Sequence, residues 1–301
     1  MRIAIAASPE VAIPTLNALL ASEYELASVI TRPDAPAGRG RQMQSSPAAQ
    51  WAEKHGVVLH KPGSDLELRK LIADLDLVIT IGYGVLIPEA TLAIPKFGFI
   101  NLHFSLLPRW RGAAPVQRAI EAGDAKTGVT VFKLDKGMDT GPIYLSLETP
   151  LSPELNTSEV MSQLSELGVK AVIESIELIR SGFSPSAQLD EGASRADKLS
   201  VQEAVVDWKQ PAEIIVRKIN AFSPNPGART IFRGQTLKIG RVRLSDLVIP
   251  HGEISVRSKS VYVGTSSNAI ELIEITPAGK SAMSAISWAN GARFAESERF
   301  S

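Results

Sequence analysis

The chain has 301 residues, 44% hydrophobic and 21% charged, with 32 basic and 32 acidic side chains and no cysteine. That length suggests two domains and the composition is that of a soluble globular protein. The missing thiols exclude disulfides, cysteine nucleophiles and thiolate metal sites. No apolar run approaches the roughly 20 residues of a membrane helix, and residues 1–6 are too short for a signal peptide and read as a strand. A cytoplasmic protein with no membrane partner is expected. The zero net charge hides an uneven split: residues 205–301 hold 13 Lys and Arg against 8 Asp and Glu. Such a split can make the second half the polyanion-binding part.

Taken in order, residues 2–6 are a short apolar strand. Residues 9–21 have helical spacing, with Ser8 placed as N-cap and Pro9 at the first helical position; Pro14 would delay the regular helix until that point. Strands are read at 26–31 and 57–59, and helices at 48–55 and 66–74. Residues 77–81 are almost wholly apolar, as in a strand covered on both faces. A strand at 97–102 and a helix at 115–121 follow. This alternation predicts an α/β, mostly parallel sheet with helices on both sides. Residues 129–134 and 143–147 read as strands. The stretch 158–179 places Val160, Leu164, Leu167, Ala171, Val172, Ile176 and Ile179 at helical spacing, capped by Asn156, Thr157 or Ser158. Residues 181–200, rich in Ser, Gly, Ala and charge, read as an interdomain linker. Beyond it, a helix at 212–222 precedes strand candidates at 236–242, 252–258, 260–265 and 269–275, a spacing that suits a small β-barrel.

The chemistry-bearing residues follow apolar strands. Asn101-Leu102-His103-Phe104-Ser105-Leu106-Leu107-Pro108 comes after such a run, and alternation in a strand would project Asn101 and His103 to one face. The ends of buried parallel strands are the usual site position in α/β proteins. Asp135-Lys136-Gly137-Met138-Asp139-Thr140-Gly141-Pro142 is a glycine-punctuated loop with carboxylates. Asn101 can donate to a tetrahedral oxyanion, His103 can carry a proton, and Asp139 can favour the charged imidazole or accept a proton. Singly, each has an ordinary reading: a turn-forming Asn, a structural His, a loop-shaping Asp. Ile81-Gly82-Tyr83-Gly84-Val85-Leu86-Ile87-Pro88 follows another strand, and its glycines permit close backbone approach. The turn after the first strand, Ala6-Ala7-Ser8-Pro9, has no glycine, so a nicotinamide fingerprint is missing there. Residues 32–47 read as an exposed loop.

These motifs carry a resemblance. Asn-x-His-x-Ser-Leu-Leu-Pro, then Arg111-Gly112-Ala113-Ala114-Pro115 and Asp-x-Gly-x-Asp-x-Gly, resemble the folate-dependent formyltransferases. Three further segments narrow the resemblance to members that act on initiator methionyl-tRNA: residues 32–40, 217–224 and 277–284. It spans nearly the whole chain. It implies a Rossmann-like catalytic domain at 1–188, a linker at 189–204 and an OB-like tRNA-binding domain at 205–301. It also implies Asn101, His103 and Asp139 as catalytic residues. The donor, 10-formyltetrahydrofolate, would contact Ser105, Leu106, Leu107, Pro108, Tyr83, Gly84, Val85 and Leu86. Arg32, Arg39 and Arg41 would grip the acceptor stem. No metal is required, and a monomer is expected. A sugar-nucleotide formyltransferase, a formyltetrahydrofolate hydrolase and an inactive binding module are the rival readings. The chain departs from the family pattern at Ala7, where a glycine is usual, and at Phe104, where a small residue is common.

Overall fold

The computed structural model describes residues 1–37, 42–295 and 297–301. The strand β1 (Arg2–Ala7) leads through a single 3-10 turn, Glu10–Ala12, into α1 (Ile13–Leu20). Pro14 therefore sits in the first turn of the helix, where a missing N–H leaves no bond unmade. The delayed start expected from Pro14 is what occurs, and Ser8 caps nothing. Then come β2 (Glu25–Ile30), the short pair β3 (Ala35–Ala37) and β4 (Gln42–Gln44), α2 (Pro47–His55), β5 (Leu59–His60) and α3 (Asp65–Leu71). Both α2 and α3 open on a serine whose hydroxyl accepts a backbone N–H, Ser46 from Ala49 and Ser64 from Glu67. They are followed by β6 (Leu77–Ile81), α4 (Glu89–Leu92), β7 (Phe99–His103), α5 (Pro115–Ala122), β8 (Lys126–Lys133), β9 (Ile143–Pro150) and α6 (Thr157–Arg180).

The chain divides into two compact units. The first comprises Met1–Gly112, Thr127–Thr149 and Met161–Arg195. Its sheet has seven strands in the order β5-β2-β1-β6-β7-β8-β9. The β1, β2, β5, β6 and β7 strands run parallel, and β8 runs antiparallel to β7. Ile3, Ile5, Leu77, Ile79, Phe99 and Ile100 are at most 1% exposed, as central strands covered on both faces require. From β1 the sheet grows one way through β2 and the other way through β6, so the switch point lies between β1 and β6. In-register pairs there are Ala7 with Ile81 and Thr80 with Asn101, which aligns the carboxyl ends of β1, β6 and β7. The short β3–β4 pair lies within the stretch expected as a loop: apart from alternation over a few residues, nothing local distinguishes it.

The second unit comprises Ala113–Lys126, Pro150–Val160 and Ala196–Ser301. Here α7 (Ala212–Phe222) buries Ile215, Ile219 and Phe222. The strands are β10 (Ala228–Phe232), β11 (Gln235–Ile239), β12 (Val242–Leu244), β13 (Ile254–Arg257), β14 (Ser260–Val263), β15 (Ile270–Leu272), β16 (Glu274–Pro277) and β17 (Met283–Ser284), before α8 (Ala285–Ala292). They form two four-stranded antiparallel sheets, β10-β11-β16-β17 and β12-β15-β14-β13. Two stretches expected as single strands, 236–242 and 269–275, each pass from one sheet to the other. The break falls where Gly240 N–H donates to Glu274 O and Ile273 N–H to Arg241 O. A side chain at Gly240 would stand 3.3 Å from the Glu274 carbonyl oxygen, so the two strands approach closely at the crossing. The β10 strand and α8 helix were not anticipated. Trp208, Phe232, Trp288, Phe294 and Phe300 stack or meet edge to face with centroids 5.0–5.9 Å apart. Among the described residues no helix is long and apolar enough to cross a membrane.

Candidate active site

Asn101 and His103 lie on alternate positions of β7, with Leu102 turned to the opposite face. Leu102 packs onto α6 at Gly168, where a Cβ would stand 2.6 Å from Leu102 Cδ2. Asn101 Nδ2 donates to Thr80 Oγ1 at 2.8 Å, and Thr80 Oγ1 in turn donates to Ile100 O at 3.1 Å. Because the hydroxyl proton goes to a carbonyl, its lone pairs must face Asn101, which turns the amide NH₂ toward Thr80. One N–H of that NH₂ is held and the second is left for another acceptor. Thr80 is the one polar side chain in the apolar run of β6, the signal from which sequence reading could have found it.

His103 is 6% exposed. Its Nε2 lies 2.9 Å from Trp110 O, an acceptor, so Nε2 carries the proton in the neutral ring and Nδ1 holds a lone pair. Nδ1 faces Asp139 Oδ2 at 3.8 Å, and that oxygen accepts the Gly112 N–H at 2.7 Å. Burial pushes the imidazole pKa below its usual value; the Asp139 carboxylate and then the Trp110 carbonyl oppose that shift without reversing it. Asp139 was expected to favour the charged imidazole. Its effect has that sign, but desolvation outweighs it and leaves a neutral ring. Asp139 itself adopts φ 56° in the left-handed region, uncommon for a residue with a Cβ.

After β7 the chain folds into a tight turn. Ser105 Oγ donates to Arg109 O at 2.7 Å, while Thr130 Oγ1 donates to Ser105 O and accepts the Leu107 N–H. Leu106 packs over Gly128, and Leu107 is buried while Pro108 is half-buried. Phe104 is buried at 7% exposure and is not among the cavity-lining residues described next. Ala7 ends β1 fully buried and without a positive φ, so the turn accommodates it without the strain a glycine position would imply.

A cavity of about 830 Å³ opens at the β1/β6 switch point. Its walls include Ser8, Arg32, Tyr83, Val85, Leu86 and Ile87. Gly84 sits beside Arg32, whose Nη1 would lie 3.7 Å from a Cβ there. Tyr83 is buried, which raises its phenol pKa, while Leu86 stands 83% exposed at the rim. Ser8 Oγ is buried with no hydrogen-bond partner among the described residues. The size lies in the range of small-molecule sites. The structure thus brings His103 to Asp139, keeps Asn101 beside them on β7, and unites Arg32 with residues 83–86. Asn101, His103, Asp139 and residues 105–108 are not among the cavity's lining residues. Arg39 and Arg41 lie outside the described residues.

The family model for formyl transferase matches residues 1–176, and that for the formyl transferase C-terminal domain matches residues 198–293. The chain belongs to the formyl transferase family. The methionyl-tRNA formyltransferase of Thermobifida fusca is 42% identical over 309 residues, covering 100% of this chain and 99% of that protein. The enzyme of the same name from Salinispora tropica is 42% identical over 307 residues, covering 99% of each. Among solved structures, the methionyl-tRNA formyltransferase from Clostridium thermocellum has a TM-score of 0.59 at 18% identity, covering 91% of this chain and 99% of that one, a likeness of fold.

Proposed function

We propose that this chain transfers the formyl group of 10-formyltetrahydrofolate to the α-amino group of initiator methionyl-tRNA. The observation that carries the reading is the tethered set of Asn101, His103 and Asp139 at the end of β7, whose neighbour β6 runs into the switch-point cavity of a formyl transferase fold. In the transfer, the amine nitrogen bonds to the formyl carbon, the bond from that carbon to the donor nitrogen breaks, and the amine proton ends on the leaving nitrogen. Asn101 uses its second N–H to hold the tetrahedral oxyanion. Neutral His103 takes the amine proton through Nδ1, and Asp139 stabilises the imidazolium that forms and orients it until the proton passes on. Tyr83, Gly84, Val85 and Leu86 offer a flat, largely apolar wall to the donor heterocycle, and residues 105–108 border the approach.

Arg32 lies on the same cavity as Tyr83, Val85 and Leu86. A tRNA-gripping loop that starts there would deliver the acceptor to the place where the donor is held, as a transfer between two bound substrates requires. Arg39 and Arg41 would extend the grip along the phosphates. The division of labour we propose assigns catalysis to residues 1–188 and added tRNA contacts to 205–301, joined by 189–204, in a cytoplasmic monomer. Mixing the protein with the formyl donor and charged initiator tRNA tests the reading, with formylmethionine as the expected product. Release of free formate, transfer to a sugar-nucleotide amine alone, or binding without turnover would overturn it.

A further inference from the structure

Gln188 lies outside both segments matched by the family models and in a stretch without sequence periodicity. Its side-chain amide is fully engaged. Nε2 donates to Asp139 O at 2.9 Å and to Gly141 O at 2.8 Å. Oε1 accepts from Arg111 Nη2 at 2.8 Å and Nε at 3.1 Å. Two donors and two lone pairs are thereby all used. The bonds close a ring. Asp139 Oδ2 is held by the Gly112 N–H, Gly112 follows Arg111, Arg111 grips Gln188, and Gln188 returns to the Asp139 carbonyl.

The segment around Gln188 is itself fixed. Ser186 exchanges both backbone bonds with Ile143, at 2.7 and 2.9 Å, and Arg111 N–H donates to Ser194 O at 2.8 Å. Trp110, whose carbonyl receives His103, donates its N–H to Ser194 Oγ at 2.9 Å. Residues 186–194 thus strap together the loop that bears Asp139 and the turn that holds His103. The strap matters because Asp139 sits at φ 56°, a left-handed conformation uncommon for a non-glycine residue and held by its surroundings.

We propose that Gln188 is a positioning residue for formyl transfer: it locks the Asp139 loop, through two donated bonds and the Arg111 guanidinium, so that the carboxylate faces His103 Nδ1. This rests on the catalytic reading above. Gln188 is not among the cavity's lining residues, so its loss should fall on kcat and leave the KM for the folate donor within about twofold.

The test is a cycle of Gln188→Ala, Asp139→Asn and the double variant, with Gln188→Glu as the near-isosteric control. Gln188→Ala should lower kcat on the order of tenfold, below the roughly hundredfold that a 1 Å misplacement can cost. In the Asp139→Asn background the same change should cost nothing further, because residues that act as a unit are not additive. Gln188→Glu keeps an acceptor for Arg111 but cannot donate to two carbonyls, and should fail as Gln188→Ala does. The His103 ring, followed by NMR titration, should protonate at lower pH in Gln188→Ala, in the direction set by Asp139→Asn. Equal losses in both backgrounds, wild-type turnover in Gln188→Glu, or an unchanged His103 titration would each overturn the proposal. A wild-type protein that forms no formylmethionine would instead fail the functional reading, and the His103 titration would still decide the role of Gln188.

Discussion

The two compact units present their proposed functional groups differently. In the first, each proposed catalytic side chain is tethered: Asn101 by Thr80, His103 by Trp110 O, Asp139 by Gly112 N–H. In the second, Arg233, Arg241, Arg243 and Arg299 form ion pairs. Lys238, Lys259 and Lys280 are exposed and make no ion pair among the described residues of the chain. Moving a proton and stabilising an oxyanion depend on positions held to a fraction of an ångström. Attracting a polyphosphate chain depends on charge density and tolerates mobile side chains. The first unit holds its proposed site groups by hydrogen bonds; the second has an aromatic core and exposes Lys238, Lys259 and Lys280 to water.

The largest effect expected tests that core. Trp288 is buried against Phe232, Phe294 and Phe300. Trp288→Ala should cost the second unit about 3–5 kcal/mol in denaturant unfolding, while folate binding in the first stays near wild type. Parallel loss of folate binding would break the contrast between the units. Next, Asn101→Ala should lower kcat by about 10²–10³, or about 2.7–4 kcal/mol, the usual cost of one oxyanion donor. Near-normal turnover by a folded Asn101→Ala protein would show that the tether to Thr80 is structural alone.

A smaller, pH-dependent effect follows from His103. Burial holds its folded pKa below the ordinary value of about 6.5. The base is active when neutral, so the acid limb that belongs to His103 should lie below the ordinary imidazole value. Asp139→Asn removes the charge that holds the pKa up. The acid limb should therefore move to still lower pH while the plateau falls; a limb moving to higher pH would contradict the assignment. The smallest effects belong to single lysines. Lys238→Ala or Lys280→Ala should weaken tRNA binding by about threefold each. Each should also reduce the salt slope by about 0.7–0.9, with kcat at saturating tRNA unchanged. A slope that does not move would remove that lysine from the phosphate contacts.

The chain order of elements was legible because it rests on local pattern. β6 and α7 fall at the expected residues, since a nearly continuous apolar run and a helical apolar face each declare themselves over one short window. The β10 strand is not legible in the sequence although its burial alternates along its length, because Arg229 and Thr230 interrupt the apolar signal. The two sheet crossings near Gly240 and Ile273 are harder to read for another reason: the apolar alternation slips by only one residue at each, from Leu237 and Ile239 to Val242 and Leu244 and from Ile270 and Leu272 to Ile275, and the partner across the ribbon is what marks the slip as a break.

The sequence by itself determined the alternating α/β half, the antiparallel half and the residues at the end of β7, all of which depend on spacing along the chain. The family matches rest on the same kind of information. Tertiary structure decided three things that spacing does not encode. It placed Thr80 behind Asn101 through strand register, and it brought Arg32 onto one cavity with Tyr83, Val85 and Leu86 through the sheet's switch point. It also carried Gln188 back to Asp139 across 49 positions of chain. Desolvation of His103 belongs with these. The charge of an imidazole depends on everything packed around it, and that packing exists only after residues distant in sequence have met.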